Sequence, residues 1–269
     1  MTDQFRFYVG TNNPSWLWSK PNRHALFVSV RRINRYKTLK PANTDWCLDS
    51  GGFTELTMHD GWKTTPAEYI DNLAKISQQI GRVRWASPQD WMCEPHMIKK
   101  TGKTVYEHQH LTCENFATLQ QMRPAIPVIP VLQGWQPNDY LQHAEMYRTY
   151  GIRLENEKTV GLGSFCRRAN VAGVRELVYE LRNRGLKLHG FGLKRDGLRL
   201  FRDALQSSDS MAWSFTARAE GWKGRYLCGL TTHRAKTCAD CHEWAMKWAD
   251  QVTQTRQTGQ MALYELCTY

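Results

Sequence analysis

Short apolar runs separated by longer amphipathic stretches set the rhythm of this chain. Apolar runs at residues 5–10, 26–30, 46–48, 83–88, 126–132, 160–165 and 186–192 have strand length, and most end in glycine or a polar residue. Between them lie helical patterns. Residues 66–80 carry Tyr69, Ile70, Leu73 and Ile76 on one face, with Thr65 as N-cap before Pro66 and Gly81 just past the end. Residues 137–150 repeat the pattern with Tyr140, Leu141, Ala144 and Tyr147, and residues 171–184 do so up to Gly185. A polar stretch, 94–112, leads to a predicted helix at 115–122. Pro127 and Pro130 interrupt the fifth run and argue against a central ladder strand there. Near the end, Trp244, Ala245, Trp248 and Val252 predict a last helix packed on the main body.

Strand then helix, repeated, implies a parallel sheet with right-handed crossovers, and enough units are visible to close a (β/α)₈ TIM-like barrel. Residues 1–225 would form that barrel, and residues 226–269 a zinc knuckle and a helix packed on it. No internal repeat is visible. No window reaches the ~18 unbroken apolar residues of a membrane span, and Met1-Thr2-Asp3-Gln4 lacks a signal peptide's basic and apolar regions, so a soluble, cytoplasmic protein is expected.

Charge changes this picture. The formal net charge is +11, and basic residues are grouped: Arg31, Arg32, Arg35, Lys37 and Lys40; Arg167 and Arg168; Lys194, Arg195, Arg199 and Arg202. Grouping favours a phosphate-bearing partner.

Of eight cysteines, Cys228, Cys238 and Cys241 cluster near the end, with His233 between the first two. The order Cys, His, Cys-x-x-Cys suits a tetrahedral structural zinc site, with His242 the rival to His233 as fourth ligand. A redox Cys-x-x-Cys is the other reading, disfavoured because the pair follows a loop.

The strand ends carry the candidate chemistry. Asp49-Ser50-Gly51-Gly52-Phe53 lets backbone approach a ligand beside a carboxylate, although by itself it also reads as a capped strand-to-helix turn. Asp90, then Gln133-Gly134, Gly161-Leu162-Gly163 and His189 follow at later strand ends. Taken singly, Asp90 is an ordinary cap, the glycines are close packing and His189 is a core residue. By spacing alone Asp209 is a turn residue after a helix extending to about residue 205.

In order and spacing these motifs resemble the tRNA-guanine transglycosylases over residues 45–241. The strings 87–95 (SPQDWMCEP), 131–135 (VLQGW) and 209–213 (DSMAW) resemble more closely the DpdA-type enzymes, which place 7-deazaguanine bases into DNA. The resemblance implies exchange of guanine in DNA for a 7-deazaguanine such as preQ0, in a bacterial or phage-infected cell, with Asp209 as nucleophile and Asp49 as acid/base. Ser50, Phe53, Asp90, Gln133, Gly161, Leu162, Gly163 and His189 would hold the base. A short strand at 206–208 would place Asp209 at the catalytic end. Arg167, Arg168, Lys194 and Arg195 would follow phosphates around the mouth. The family also binds structural zinc near its C-terminus, in a different ligand order. The alternatives are exchange in tRNA, hydrolysis by the same carboxylates, and a silent nucleic-acid binding module.

Overall fold

The computed structural model describes residues 5–164, 173–221, 223–230 and 237–254. Its centre is one sheet of eight strands: β1 (Arg6–Thr11), β2 (Ala25–Ser29), β3 (Trp46–Asp49), β4 (Val83–Ala86), β5 (Val131–Leu132), β6 (Val160–Leu162), β7 (Leu188–Gly190) and β8 (Ser207–Ser210). The order is β4-β3-β2-β1-β8-β7-β6-β5, and every pairing is parallel. The sheet curls until its two edges touch. A parallel bridge joins Ala86 to Val128; Ala86 N–H donates to the Pro127 carbonyl at 2.9 Å, and Ile129 N–H donates to the Ala86 carbonyl at 3.0 Å. The result is a barrel-like α/β fold.

The two prolines explain why the fifth strand is broken. Pro127 and Pro130 have no N–H to donate, but both carbonyls accept, Pro130 from Gly161 N–H at 2.9 Å. The ladder therefore survives only as the bridge at Val128 and the two-residue β5.

Helices cover the outside. Helix Pro66–Gln79 begins in a capping box between Thr65 and Glu68, and Gly81 takes φ +64° just past its end. Helices Pro137–Thr149 and Val174–Asn183 also form as their apolar spacing predicts. The region 94–122 differs from expectation. It forms two helices, Pro95–Thr101 and Val105–Gln121, the second starting ten residues before the predicted helix at 115, with its own capping box at Thr104 and Glu107. Its buried face includes His108, Gln109 and Thr112, so polar residues occupy inward positions and hide the helical period.

Side-chain alternation along the strands sorts the core into two shells. Val9, Leu26, Val28, Trp46, Leu48, Leu162 and Leu188 point outward into the large apolar layer under the helices. Tyr8, Cys47, Trp85 and Ile129 pack inside the curl, with Phe27 and Phe191 against them. The final helix, His242–Gln254, lies against β1: the Trp248 ring is 5.9 Å from Phe7, Trp244 Nε1–H donates to the Trp213 carbonyl, and Trp213 Nε1–H donates to the Gly10 carbonyl, both at 2.9 Å. Among the described residues no helix is long and apolar enough to cross a membrane.

Candidate active site

The same alternation builds a cavity at the strands' C-terminal ends. Counting by two from the inward Cys47, Phe27, Trp85, Gly161 and Ser207 leads to Asp49, Ser29, Ser87, Gly163 and Asp209. Asp49, Ser87, Gly163 and Asp209 line a cavity of about 460 Å³ together with Phe53, Asp90, Glu94, Gln133, Phe191 and neighbours. This lies within the range of about 300–1,000 Å³ usual for small-ligand sites.

Of the residues expected here, Asp49, Phe53, Asp90, Gln133, Gly163 and Asp209 line the cavity. Ser50 and Leu162 have the opposite parity. Ser50 faces a separate cleft beside Arg31 and Tyr69, and Leu162 lies in the outer apolar layer. Gly161 is one layer below, its missing side chain replaced by the Phe191 ring, which a Cβ there would meet at 2.5 Å. His189 is fully buried beneath the cavity among Tyr8, Phe27, Trp85 and Phe191, its ring centroid 4.8 Å from that of Trp85 and 4.7 Å from that of Phe191.

Asp209 lies within β8, paired with Tyr8 of β1, so the strand carries it to the catalytic end rather than stopping before it. Its Oδ1 accepts from Gly192 N–H at 3.0 Å and lies 3.3 Å from His189 Nε2, whose Nδ1 is 2.8 Å from Ser207 Oγ. Among the described residues, Oδ2 receives no hydrogen bond. Asp49 faces it at the end of β3. Desolvation, with the negative charge of Asp209 adding, pushes the Asp49 carboxyl up, against hydrogen bonds from the Ser29 hydroxyl and Gly51 N–H. Gly51 takes φ +81°, which lets the chain turn straight from β3 into the helix Gly52–His59 and brings that N–H back to Asp49.

Asp90 and Gln133 form the other wall. Gln133 Nε2–H donates to Asp90 Oδ2 at 2.5 Å. Desolvation, with Asp49 and Glu94 nearby, pushes the Asp90 carboxyl up to about 7, the Gln133 hydrogen bond opposing this. The Gln133 backbone is fixed on both sides: its N–H donates to His143 Nδ1 at 2.8 Å, and its carbonyl accepts from Gln109 Nε2 at 2.7 Å. Burial pushes the His143 imidazole down to about 3, so it is neutral and its Nδ1 can accept. A Cβ on Gly163 would overlap the Gln133 amide, so glycine here is what lets that amide lie in its observed place.

Sequence reasoning missed Glu94, Ser164, His96, Trp135, Phe27 and Phe191, all cavity-lining. Phe27 and Phe191 carry the signal of inward parity, two residues from Ser29 and His189; Glu94 and Ser164 follow the strand ends in loops, where no period marks them.

Some basic groups serve packing instead. Arg195 bonds Gln251, while Arg202 donates to the Thr253 carbonyl at 2.6 Å and stacks 4.7 Å from the centroid of Phe5. These two arginines hold the last helix, Arg195 through an exposed contact. Arg31 is paired with Glu55. Arg167 and Arg168 lie outside the described residues.

Cys228, Cys238 and Cys241 bring their sulfurs within 4.8 Å of one another, and none is in a disulfide. Three convergent thiols, two of them buried, suit a thiophilic metal ion. His233 lies outside the described residues. His242, the rival fourth ligand, instead pairs with Asn22 Oδ1 at 3.0 Å and packs edge-on against Trp16.

Carboxylates and an amide converging at the C-terminal ends of a curled parallel sheet define an α/β enzyme site. A family model, DpdA (DeoxyPurine in DNA protein A), matches residues 3–263, and the chain belongs to that family. Membership points to modification of DNA by a transferase of the transglycosylase kind. No curated protein matches the chain.

Proposed function

We propose that this protein exchanges guanine in DNA for a 7-deazaguanine base, such as preQ0, through a covalent aspartyl-sugar intermediate on a (β/α)₈ barrel closed by the Ala86–Val128 bridge. The observation that carries the reading is the meeting of Asp49 and Asp209 in one cavity, with Asp90 and Gln133 lining it. A target guanosine flipped from the duplex would fill that cavity. Asp209 Oδ2 attacks C1′ as the bond from C1′ to the base nitrogen breaks, its electron pair leaving with the base. Asp49, whose carboxyl burial and the neighbouring Asp209 push up, is the group placed to give a proton to the departing guanine. It takes one back from the incoming base, whose nitrogen attacks C1′ and frees Asp209. Asp90, when ionised, accepts from the N1–H and amine of a guanine edge, and Gln133 contacts the base carbonyl. Gly163 gives the base close access to backbone, and Phe53 covers the mouth. His189, with Ser207, orients Asp209 from below.

Cys228, Cys238 and Cys241 would hold a structural zinc ion with His233 as fourth ligand, in a C-terminal unit (226–269) packed on the barrel (1–225). Closed coordination leaves no position for chemistry.

The test is incubation of duplex DNA and of tRNA with labelled 7-deazaguanine bases, followed by nucleoside mass spectrometry. Label in deoxynucleosides of DNA, with tRNA unlabelled and binding weakened steeply by salt, is the expected result. Label in tRNA alone moves the protein to the RNA-modifying branch; free guanine released without label incorporation makes it a hydrolase.

A further inference from the structure

A run of four side chains crosses the cavity wall: Asp90, Gln133, Ser164 and Glu94. Gln133 Nε2 is 2.5 Å from Asp90 Oδ2, Gln133 Oε1 is 2.7 Å from Ser164 Oγ, and Ser164 Oγ is 2.8 Å from Glu94 Oε2. Ser164 Oγ also accepts from Cys93 N–H at 2.8 Å. Ser164 is buried and takes φ +51°, unusual for a residue with a Cβ, so the fold holds it there against a backbone cost.

Ser164 has a single hydroxyl proton but two acceptors, Gln133 Oε1 and Glu94 Oε2. With one proton shared between the two carboxyls, only two arrangements satisfy every group. In one, Glu94 is protonated and donates to Ser164, Ser164 donates to Gln133 Oε1, and the Gln133 amide donates to an ionised Asp90. In the other, the Gln133 amide is turned over, Asp90 is protonated and donates to Gln133 Oε1, the amide donates to Ser164, and Ser164 donates to an ionised Glu94. The two hold the same number of protons. They differ in which carboxyl carries the shared one.

We propose that Glu94, acting through Ser164, is a positioning residue that sets the orientation of the Gln133 amide and thereby whether Asp90 meets the base as an acceptor. This rests on the reading of Asp90 and Gln133 as the base-binding pair. Only the first arrangement gives guanine's N1–H and amine an ionised carboxylate to meet, so guanine selects it and the proton resides on Glu94.

The experiment is titration of the full chain with guanine and with hypoxanthine, which lacks the amine. The variants are Glu94→Gln, Glu94→Ala, Ser164→Ala, Ser164→Gly and Asp90→Asn. Glu94→Gln keeps an N–H to donate to Ser164, reproducing protonated Glu94, and should bind guanine within about 3-fold of wild type. Glu94→Ala and Ser164→Ala should weaken guanine by about tenfold, the worth of one hydrogen bond, and narrow the preference over hypoxanthine. Ser164→Gly accepts the positive φ without strain and should match Ser164→Ala, so the result does not hinge on whether the alanine variant folds. Wild-type affinity and selectivity in folded Ser164 variants overturn the relay. So does equal loss in Glu94→Gln and Glu94→Ala, which would mean that the Glu94 charge acts directly. Undiminished guanine binding by Asp90→Asn overturns instead the assignment of the base site itself.

Discussion

His189 and Asp209 meet at 3.3 Å, Nε2 to Oδ1, beneath the cavity floor. Gly192 N–H donates to the same oxygen at 3.0 Å, so both contacts hold one side of the carboxylate and, among the described residues, leave Oδ2 without a hydrogen bond. One anchored and one open oxygen suit a nucleophile that must form a bond without rotating. Asp209→Ala should lower exchange by about 10³-fold or more while the fold and cysteine cluster remain intact. Nucleoside mass spectrometry beside circular dichroism checks this; near wild-type exchange in the variant removes Asp209 from the nucleophile role.

Asp90 gives a pH prediction whose sign follows from its shift. Desolvation raises its carboxyl from 3.8 to about 7, so between those values the native state binds more protons than the unfolded chain. Stability contributed at this site therefore falls as pH rises through that window, and the cost is full above about 7. Asp90→Asn removes the ionisation and still accepts from Gln133. It should stabilise the protein at pH 8 by about 1–2 kcal/mol, allowing for cavity water beside this half-buried group, and the gain should vanish near pH 4. Urea unfolding at the two pH values measures it, and a gain of equal size at both would show that the shift is not the cause.

Much of this site was readable because strand parity and strand ends leave marks in sequence. Asp49, Asp90, Gln133, Gly163 and Asp209 stand where successive strands finish, and a parallel sheet brings all such ends to one face. Parity is also what the motif reading overlooked. It took Gly161, Leu162 and Gly163 as neighbours of one ligand, whereas only Gly163 reaches the cavity. The helix at 105–121 stayed hidden because His108, Gln109 and Thr112 face inward, and their partners (the Met92 carbonyl for His108, the Gln133 carbonyl for Gln109) are distant in sequence. Glu94 and Ser164 are 70 residues apart, and no local pattern links them.

The three convergent cysteines predict about one zinc ion per chain by metal analysis. Cys241→Ser should lower the melting temperature by several degrees and release metal, yet leave exchange near normal in whatever protein stays folded. The cluster is tied to the body by Ser214 Oγ, which donates to the Ala239 carbonyl at 2.8 Å, so metal loss should loosen the end of the chain before the cavity. Metal-free protein with undiminished thermal stability would count against a structural ion.

The two glycines of β6 and its exit loop should respond in opposite ways to the same methyl group. On Gly163 a Cβ would overlap the Gln133 amide, a side chain that can rotate into the cavity. Gly163→Ala should therefore fold with nearly the wild-type melting temperature but bind guanine at least about tenfold more weakly, because Gln133 is turned from Asp90. On Gly161 a Cβ would meet Phe191 at 2.5 Å and Val131 at 3.0 Å, and the Phe191 ring is held among Phe27, Trp85 and His189. Gly161→Ala should cost about 1–3 kcal/mol of stability, with guanine affinity largely kept in the folded fraction. Chemical unfolding and guanine titration on both variants separate the cases. If Gly163→Ala lost stability and kept affinity, the Gln133 amide would not be the group through which this wall meets the base.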